Sequence, residues 1–240
     1  MKRIFTTLTE KWPEYLLEIL VIVVGILGAF ALNSWNSERT AGITELEILM
    51  GCKVELESDL HDIGINFRLH ENAVKSINEI IRAVETDQPY HDSLAYDFGY
   101  AMVYTLFRHS TSTFEAMKSK GIEIVSNKSI RNDIIRLYDA DYNFFLKIEK
   151  DLIDDVMHGY REVFPTRFEE ALKVEFPDPE FRNRIVPLDF EALKKDQEFL
   201  YYIKTLRNET EFILKSHYSN LRQDVQHLIA DLETEIAKKQ

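Results

Sequence analysis

The chain of 240 residues has one cysteine, eight glycines and six prolines. The lone Cys52 cannot close an internal disulfide, so it does not identify a redox compartment. Proline is missing from 90–164 and from 188–240, which leaves both stretches free to form long helices. The prolines that exist act as punctuation: Pro13 near the start, Pro89 in a loop, then Pro165, Pro177, Pro179 and Pro187 in one irregular stretch. Four of the eight glycines lie at or before Gly51. No alternating strand pattern, internal repeat or low-complexity tract is present. Phosphate-binding loops, dinucleotide glycines, nucleophile elbows, zinc spacings and His-Glu-x-x-His are also missing. A di-iron bundle needs Glu-x-x-His on two helices, and that motif occurs nowhere. No catalytic residue, metal ligand or cofactor is expected, and an enzyme is not the expected reading.

Positive charge is the other shortage. The formal net charge is −12. Within the first 36 residues Lys2, Arg3 and Lys11 cancel Glu10, Glu14 and Glu18, so the whole deficit lies beyond position 36. So acidic a region repels nucleic acid and anionic headgroups, and no nucleic-acid partner is expected.

What the chain does have is one long apolar run, Tyr15 to Leu32 (YLLEILVIVVGILGAFAL), with Glu18 as its single charge. About 20 mostly apolar residues span the hydrocarbon core of a bilayer. Trp12 and Trp35 bracket the run, about 35 Å apart at 1.5 Å per residue, where indoles favour the headgroup levels. Trp12, Tyr15 and Trp35 are the expected interface anchors, and membrane lipid is an expected partner. Ala29-Phe30-Ala31 resembles a signal-peptide cleavage site. The stretch before the run is long and carries Glu10 and Glu14 beside Lys11, and with Pro13 and Glu14 suited to a first helical turn it favours an uncleaved anchor instead. Lys2, Arg3 and Lys11 outweigh Arg39 and Lys53 on the other flank, which predicts a cytoplasmic N-terminus. The expectation is therefore a tail at 1–14, a transmembrane helix at 15–36 and a periplasmic region at 37–240 of a bacterial inner-membrane protein.

The fold class expected is all-α: an N-terminal transmembrane helix, then an elongated antiparallel helical bundle with a long first helix. Counting in sevens from Leu46 gives Lys53, Leu60, Phe67, Val74 and Ile81; from Leu49 it gives Leu56, Ile63, His70, Ile77 and Val84. Ten of these twelve positions are apolar, the signature of a bundle or coiled-coil seam over Ile43–Val84. Counting backwards reaches Gly25, Gly28 and Glu18, which predicts a near-continuous rod with the seam running into the span and Gly42 as its one flexible point. Residues 15–84 would measure roughly 105 Å. Further helices are predicted over about 94–108, after Thr113 to Gly121, from Asn127 to Val163, around Phe168–Lys173 and after Asp196.

Glu18 to Leu27 (EILVIVVGIL), followed by Asn33-Ser34-Trp35-Asn36, and a second block over 112–138 (STFEAMKSKGIEIVSNKSIRNDIIRLY) carry a resemblance. Together they resemble a family of uncharacterised bacterial single-span membrane proteins, a domain of unknown function. The resemblance implies an N-terminal anchor and a helical extramembrane region, and supplies no catalytic residues.

Several residues are candidates for function. An ionisable group inside a span is a functional suspect, though Glu18 sits near enough to one end to reach the headgroups. Gly25, Gly28, Ala29, Asn33 and Asn36 join it as a small and polar interface suited to close helix approach. His70 and His217 are seam positions that a pH-sensitive contact could join. Asp151, Asp154, Asp155 and His158 read as a solvated acidic helix face. The leading expectation is a non-enzymatic, self-associating scaffold or accessory subunit of an envelope complex, with a homo-oligomer and a protein partner. The alternatives are an extracytoplasmic sensor acting through a cytoplasmic partner, and an ion- or proton-conducting assembly using Glu18.

Overall fold

The computed structural model describes residues 2–171 and 183–240, and of the side chains before Tyr15 only that of Trp12. Pro177, Pro179 and the end of the expected helix at 168–173 lie outside these residues. Among them every regular element is helical, and the one β-bridge, Phe168 with Pro187, is isolated.

Helix α1 is Lys2–Glu85, unbroken for 84 residues, or about 125 Å at 1.5 Å per residue. Gly42 lies inside it, and the helix is continuous through that position. From Tyr15 to Ile43 every residue is exposed, and burial begins at Glu45. Beyond that point α1 is the spine of a single core. The row Leu49, Leu56, Ile63, His70, Ile77 and Val84 is fully buried, as predicted, whereas Leu46, Leu60 and Phe67 of the other row are only half-buried. A third row takes their place: Glu45, Cys52, Asp59, Asn66, Ala73 and Ile80 are all buried.

Short helices α2 (Ser93–Ala101) and α3 (Ser112–Lys120) pack on α1. Helix α4 runs from 128 to 163 as α-helical Lys128–Arg136 and Tyr142–His158, each followed by a π-helical turn, Leu137–Asp141 and Gly159–Val163. Asn127 caps it, its side chain accepting from the backbone of Ser129 and Ile130. After the short α5 (Phe190–Leu193), α6 runs from 197 to 239, with a π-helical turn at Ile213–Tyr218 and Asp196 as its cap. Lys204 pairs with Glu85 at 2.7 Å, Glu233 with Lys53 at 3.2 Å and Lys239 with Glu45 at 2.9 Å. These contacts run α6 back along α1 from its far end toward the exposed segment. The wide turn at 213–218 brings Tyr218 rather than His217 into the core. Gly121 ends α3 at φ 98°, a backbone angle that side-chain-bearing residues rarely adopt.

Two expectations are corrected. The helix at about 94–108 stops at Ala101, and 103–111 is non-helical. That stretch, Val-Tyr-Thr-Leu-Phe-Arg-His-Ser-Thr, is rich in β-branched and aromatic residues that suit an extended chain. At 168–171 there is no helix either; Phe168 instead joins the bridge to Pro187.

Candidate functional site

The extended stretch forms a strap along α1. Thr105 meets His70 and Ser112 meets Glu55, so seven strap residues cover fifteen residues of α1. Fifteen helical residues measure about 22 Å, which is roughly 3.2 Å per strap residue, the rise of extended chain. Outside a sheet, such a chain has no neighbouring strand for its backbone, and buried N–H groups need acceptors. Carboxylates on two helices supply them. Glu149 of α4 accepts from the Phe107 nitrogen at 3.0 and 2.8 Å and from the Thr105 hydroxyl at 3.0 Å. On α1, Asp62 accepts from the Arg108 nitrogen and Asp59 from the Ser110 nitrogen, at 3.0 and 3.2 Å. Glu55 accepts from the Thr113 nitrogen and hydroxyl and from the Ser112 hydroxyl. Ten residues below Glu55 at the strap's foot, Glu45 accepts from the nitrogen and hydroxyl of Ser126, both at 2.7 Å, and from Lys239.

The electrostatics follow from this packing. Burial raises the Asp59 carboxyl to about 6, opposed by the hydrogen bond from Tyr142 at 2.8 Å and aided by Glu55 and Asp62 nearby. Burial likewise raises Glu149, against the bonds it accepts. Glu45 is held below the usual carboxylate range, its bonds to Ser126 and Lys239 together outweighing its burial. Burial pulls His70 down to about 4. Thr105 gives its hydroxyl proton to Glu149, so His70 Nε2 is the donor in the 2.9 Å contact with Thr105. The other ring nitrogen, Nδ1, is buried with no hydrogen-bond partner. His70 is therefore neutral and locked in one tautomer. It lies 5.6 Å from the Tyr218 ring, while His217 sits between Phe144 and Phe212; the structure does not bring the two histidines together. Cys52 is fully buried and its thiol is pushed up to about 12 by burial, which keeps it protonated.

Glu18, Gly25, Gly28, Ala29, Asn33 and Asn36 are all exposed on α1, as are the expected anchors Trp12, Tyr15 and Trp35. At 3.6 residues per turn, Glu18, Gly25, Ala29 and Asn36 fall within an arc of about 40°, with Asn33 and Gly28 flanking it on either side. The buried residues Glu45, Leu49, Cys52 and Leu56 fall on the opposite side of the same straight helix. This corrects the expected common stripe. A seven-residue count lags a straight helix by about 20° per heptad, about 80° over the four heptads from Glu18 to Leu46, and burial of the Glu45 row in place of the Leu46 row adds about 100°. Among the described residues, no group of three or more His, Cys, Asp or Glu side chains is placed to hold a metal ion.

The sequence reading missed the strap and its carboxylates. The available signal was the period-seven row Glu45, Cys52, Asp59, Asn66, Ala73 and Ile80 beside an apolar row, with a β-prone stretch elsewhere to receive it.

Fold and site together define a helical protein with one exposed apolar helix, 18 residues of which reach a mean hydropathy of 2.5 with none buried. Residues 18–169 match the model of DUF6090, a family of unknown function, and the chain belongs to that family. The match takes in the polar and small face of α1, the strap and every carboxylate that holds it. No curated protein and no solved structure matches the chain.

Proposed function

We propose that this is a single-pass membrane protein of the bacterial inner membrane, with a cytoplasmic N-terminus and a periplasmic antiparallel helical bundle carried on α1. It acts without catalysis, as a self-associating scaffold or accessory subunit of an envelope complex. One observation carries the reading: residues 45–239 bury a core among themselves, while Tyr15–Ile43 of the same unbroken helix is exposed throughout. An apolar helix of that length left bare in water costs on the order of tens of kcal/mol at about 25 cal/mol per Å², more than the roughly 5–15 kcal/mol of net stability of a folded domain. A bilayer removes that cost. Two further features support self-association. Gly25 and Ala29 allow close approach of a second helix, and Glu18 and Asn36 in line with them supply polar groups that hydrogen-bond best to a copy of themselves in lipid.

The test is gentle detergent extraction followed by mass measurement of the intact species and identification of any co-purifying chain. A homo-oligomer, alone or with one stoichiometric partner, is the expected result. A monomer without partners across the accessible concentration range would overturn the scaffold reading. Recovery of the chain in the soluble fraction after cell breakage would overturn the anchor.

A further inference from the structure

A cleft of about 320 Å³ opens between the second half of α4 and the first half of α6. Its shape depends on Gly159, the first residue of the π-helical turn Gly159–Val163. A Cβ there would lie 2.1 Å from the Tyr202 hydroxyl, so only glycine lets the Tyr202 ring lie across α4. The hydroxyl donates to the Asp155 carbonyl at 3.2 Å, which fixes the ring as one wall. Tyr201, 75% exposed, stands at the mouth. Asp155 and Glu209 reach into the cleft from opposite helices, and burial together with the neighbouring Asp155 carboxyl raises Glu209 to about 7. The charges around them are of one sign: Asp151 adds to the field, and Glu198 is already engaged by Arg167. His158 lies 6.4 Å from the Tyr202 ring. Among the described residues no lysine or arginine lines the cleft.

We propose that this cleft binds a small organic cation of the alkylammonium class, its ammonium between Asp155 and Glu209 and its carbon chain against Tyr201 and Tyr202. Four features converge on that class. The volume is roughly ten times the space of one water molecule, so it fits an organic ion and leaves a bare metal ion uncoordinated on most sides. The walls present aromatic rings, which attract cations and bury methylene groups. Among the described residues neither carboxyl has a basic partner, in a protein of net charge −12 that gathers cations at its surface. Burial and the neighbouring Asp155 raise Glu209 to about 7, so near neutral pH an ammonium arriving beside it displaces the proton that Glu209 carries. Binding therefore releases this proton. The site lies on the α4–α6 surface, away from α1, and does not depend on membrane anchoring.

Calorimetric titration of the full chain in detergent with n-butylammonium tests it, in two buffers of different ionisation enthalpy. Saturable binding of one ion per chain with proton release near neutral pH is expected. Glu209→Gln and Asp155→Asn should each weaken it about tenfold, a loss of about 1.4 kcal/mol. Tyr201→Ala should weaken it roughly threefold. Both amide variants remove repulsion between carboxyls, so thermal melts no lower than the parent's are expected and separate lost binding from lost folding. No saturable heat, binding unchanged in Glu209→Gln, or displacement by magnesium at equal concentration would each overturn the proposal.

Discussion

Glu149 Oε2 accepts the backbone N–H of Phe107 at 2.8 Å, joining α4 to a strap forty-two residues earlier in the chain. The contact stands in for a missing strand neighbour. Glu149 is only 4% exposed and also receives Thr105 and Tyr218, so its two oxygens serve three donors.

Glu149→Gln should therefore destabilise the protein by about 2–3 kcal/mol, because an amide nitrogen would face donors where a carboxylate oxygen accepted them. Thermal melts followed by circular dichroism in detergent measure this. A melt within a degree of the parent would show that the strap does not need the carboxylate.

Asp59 and His70 give opposite pH dependences. Asp59, raised to about 6, is protonated in the folded state and ionised in the unfolded chain between pH 4 and 6, so its contribution falls as pH rises through that window. His70, lowered to about 4, is neutral when folded and charged when unfolded between pH 4 and 6.5, so its contribution falls as pH drops. The two nearly cancel. Asp59→Asn should lose stability on acidification from pH 6 to 4.5 relative to the parent, and His70→Phe should gain it. Each slope is at most about 1.4 kcal/mol per pH unit for one proton. Urea titrations at three pH values read it; parallel curves for both variants would refute the assignment.

Asn127 serves two elements. Its side-chain oxygen caps α4 and its amide donates to Glu235 of α6 at 2.9 Å. Asn127→Asp keeps the cap and sets two carboxylates together, while Asn127→Ala loses both bonds. Both should lower stability, by about 1–2 kcal/mol for the alanine, and the aspartate variant alone should recover on acidification. If the aspartate variant matches the parent at neutral pH, the Glu235 bond contributes nothing.

Self-association along the polar and small face predicts disulfide-linked dimers in membranes for Ala29→Cys and Asn36→Cys. Glu38→Cys lies about 160° around the helix and should crosslink weakly. Cys52, buried and protonated, supplies no background. Equal crosslinking at all three positions would place the contact elsewhere.

Much of the helical layout is written in local chemistry. Asn127 and Asp196 cap the helices they precede, Gly121 stops α3, and the absence of proline allows α4 and α6 their length. The strap was illegible for a physical reason. Val103 to Thr111 holds no helix breaker, and what makes it extended is a set of acceptors at Asp59, Asp62 and Glu149, forty or more residues away. The inner row of α1 was hidden likewise. Glu45 and Asp59 are residues of a solvent face until backbone donors are brought to them, and that is settled by tertiary contact.

The unbroken course of α1 has a mechanical consequence. From Asn36 to Glu85 the helix has no proline, no π-helical turn and no interruption at Gly42, and it extends about 74 Å. With the span held in a bilayer, such a helix is a lever whose fulcrum is the membrane surface. A change of 10° in tilt at the span would sweep the far end through about 13 Å on that 1.5 Å rise, within the ordinary range of transmembrane tilts. On the proposed membrane reading, the reach and bearing of the core follow from the angle of that one helix in lipid, and bilayer thickness is a variable that the distal end of the protein would register.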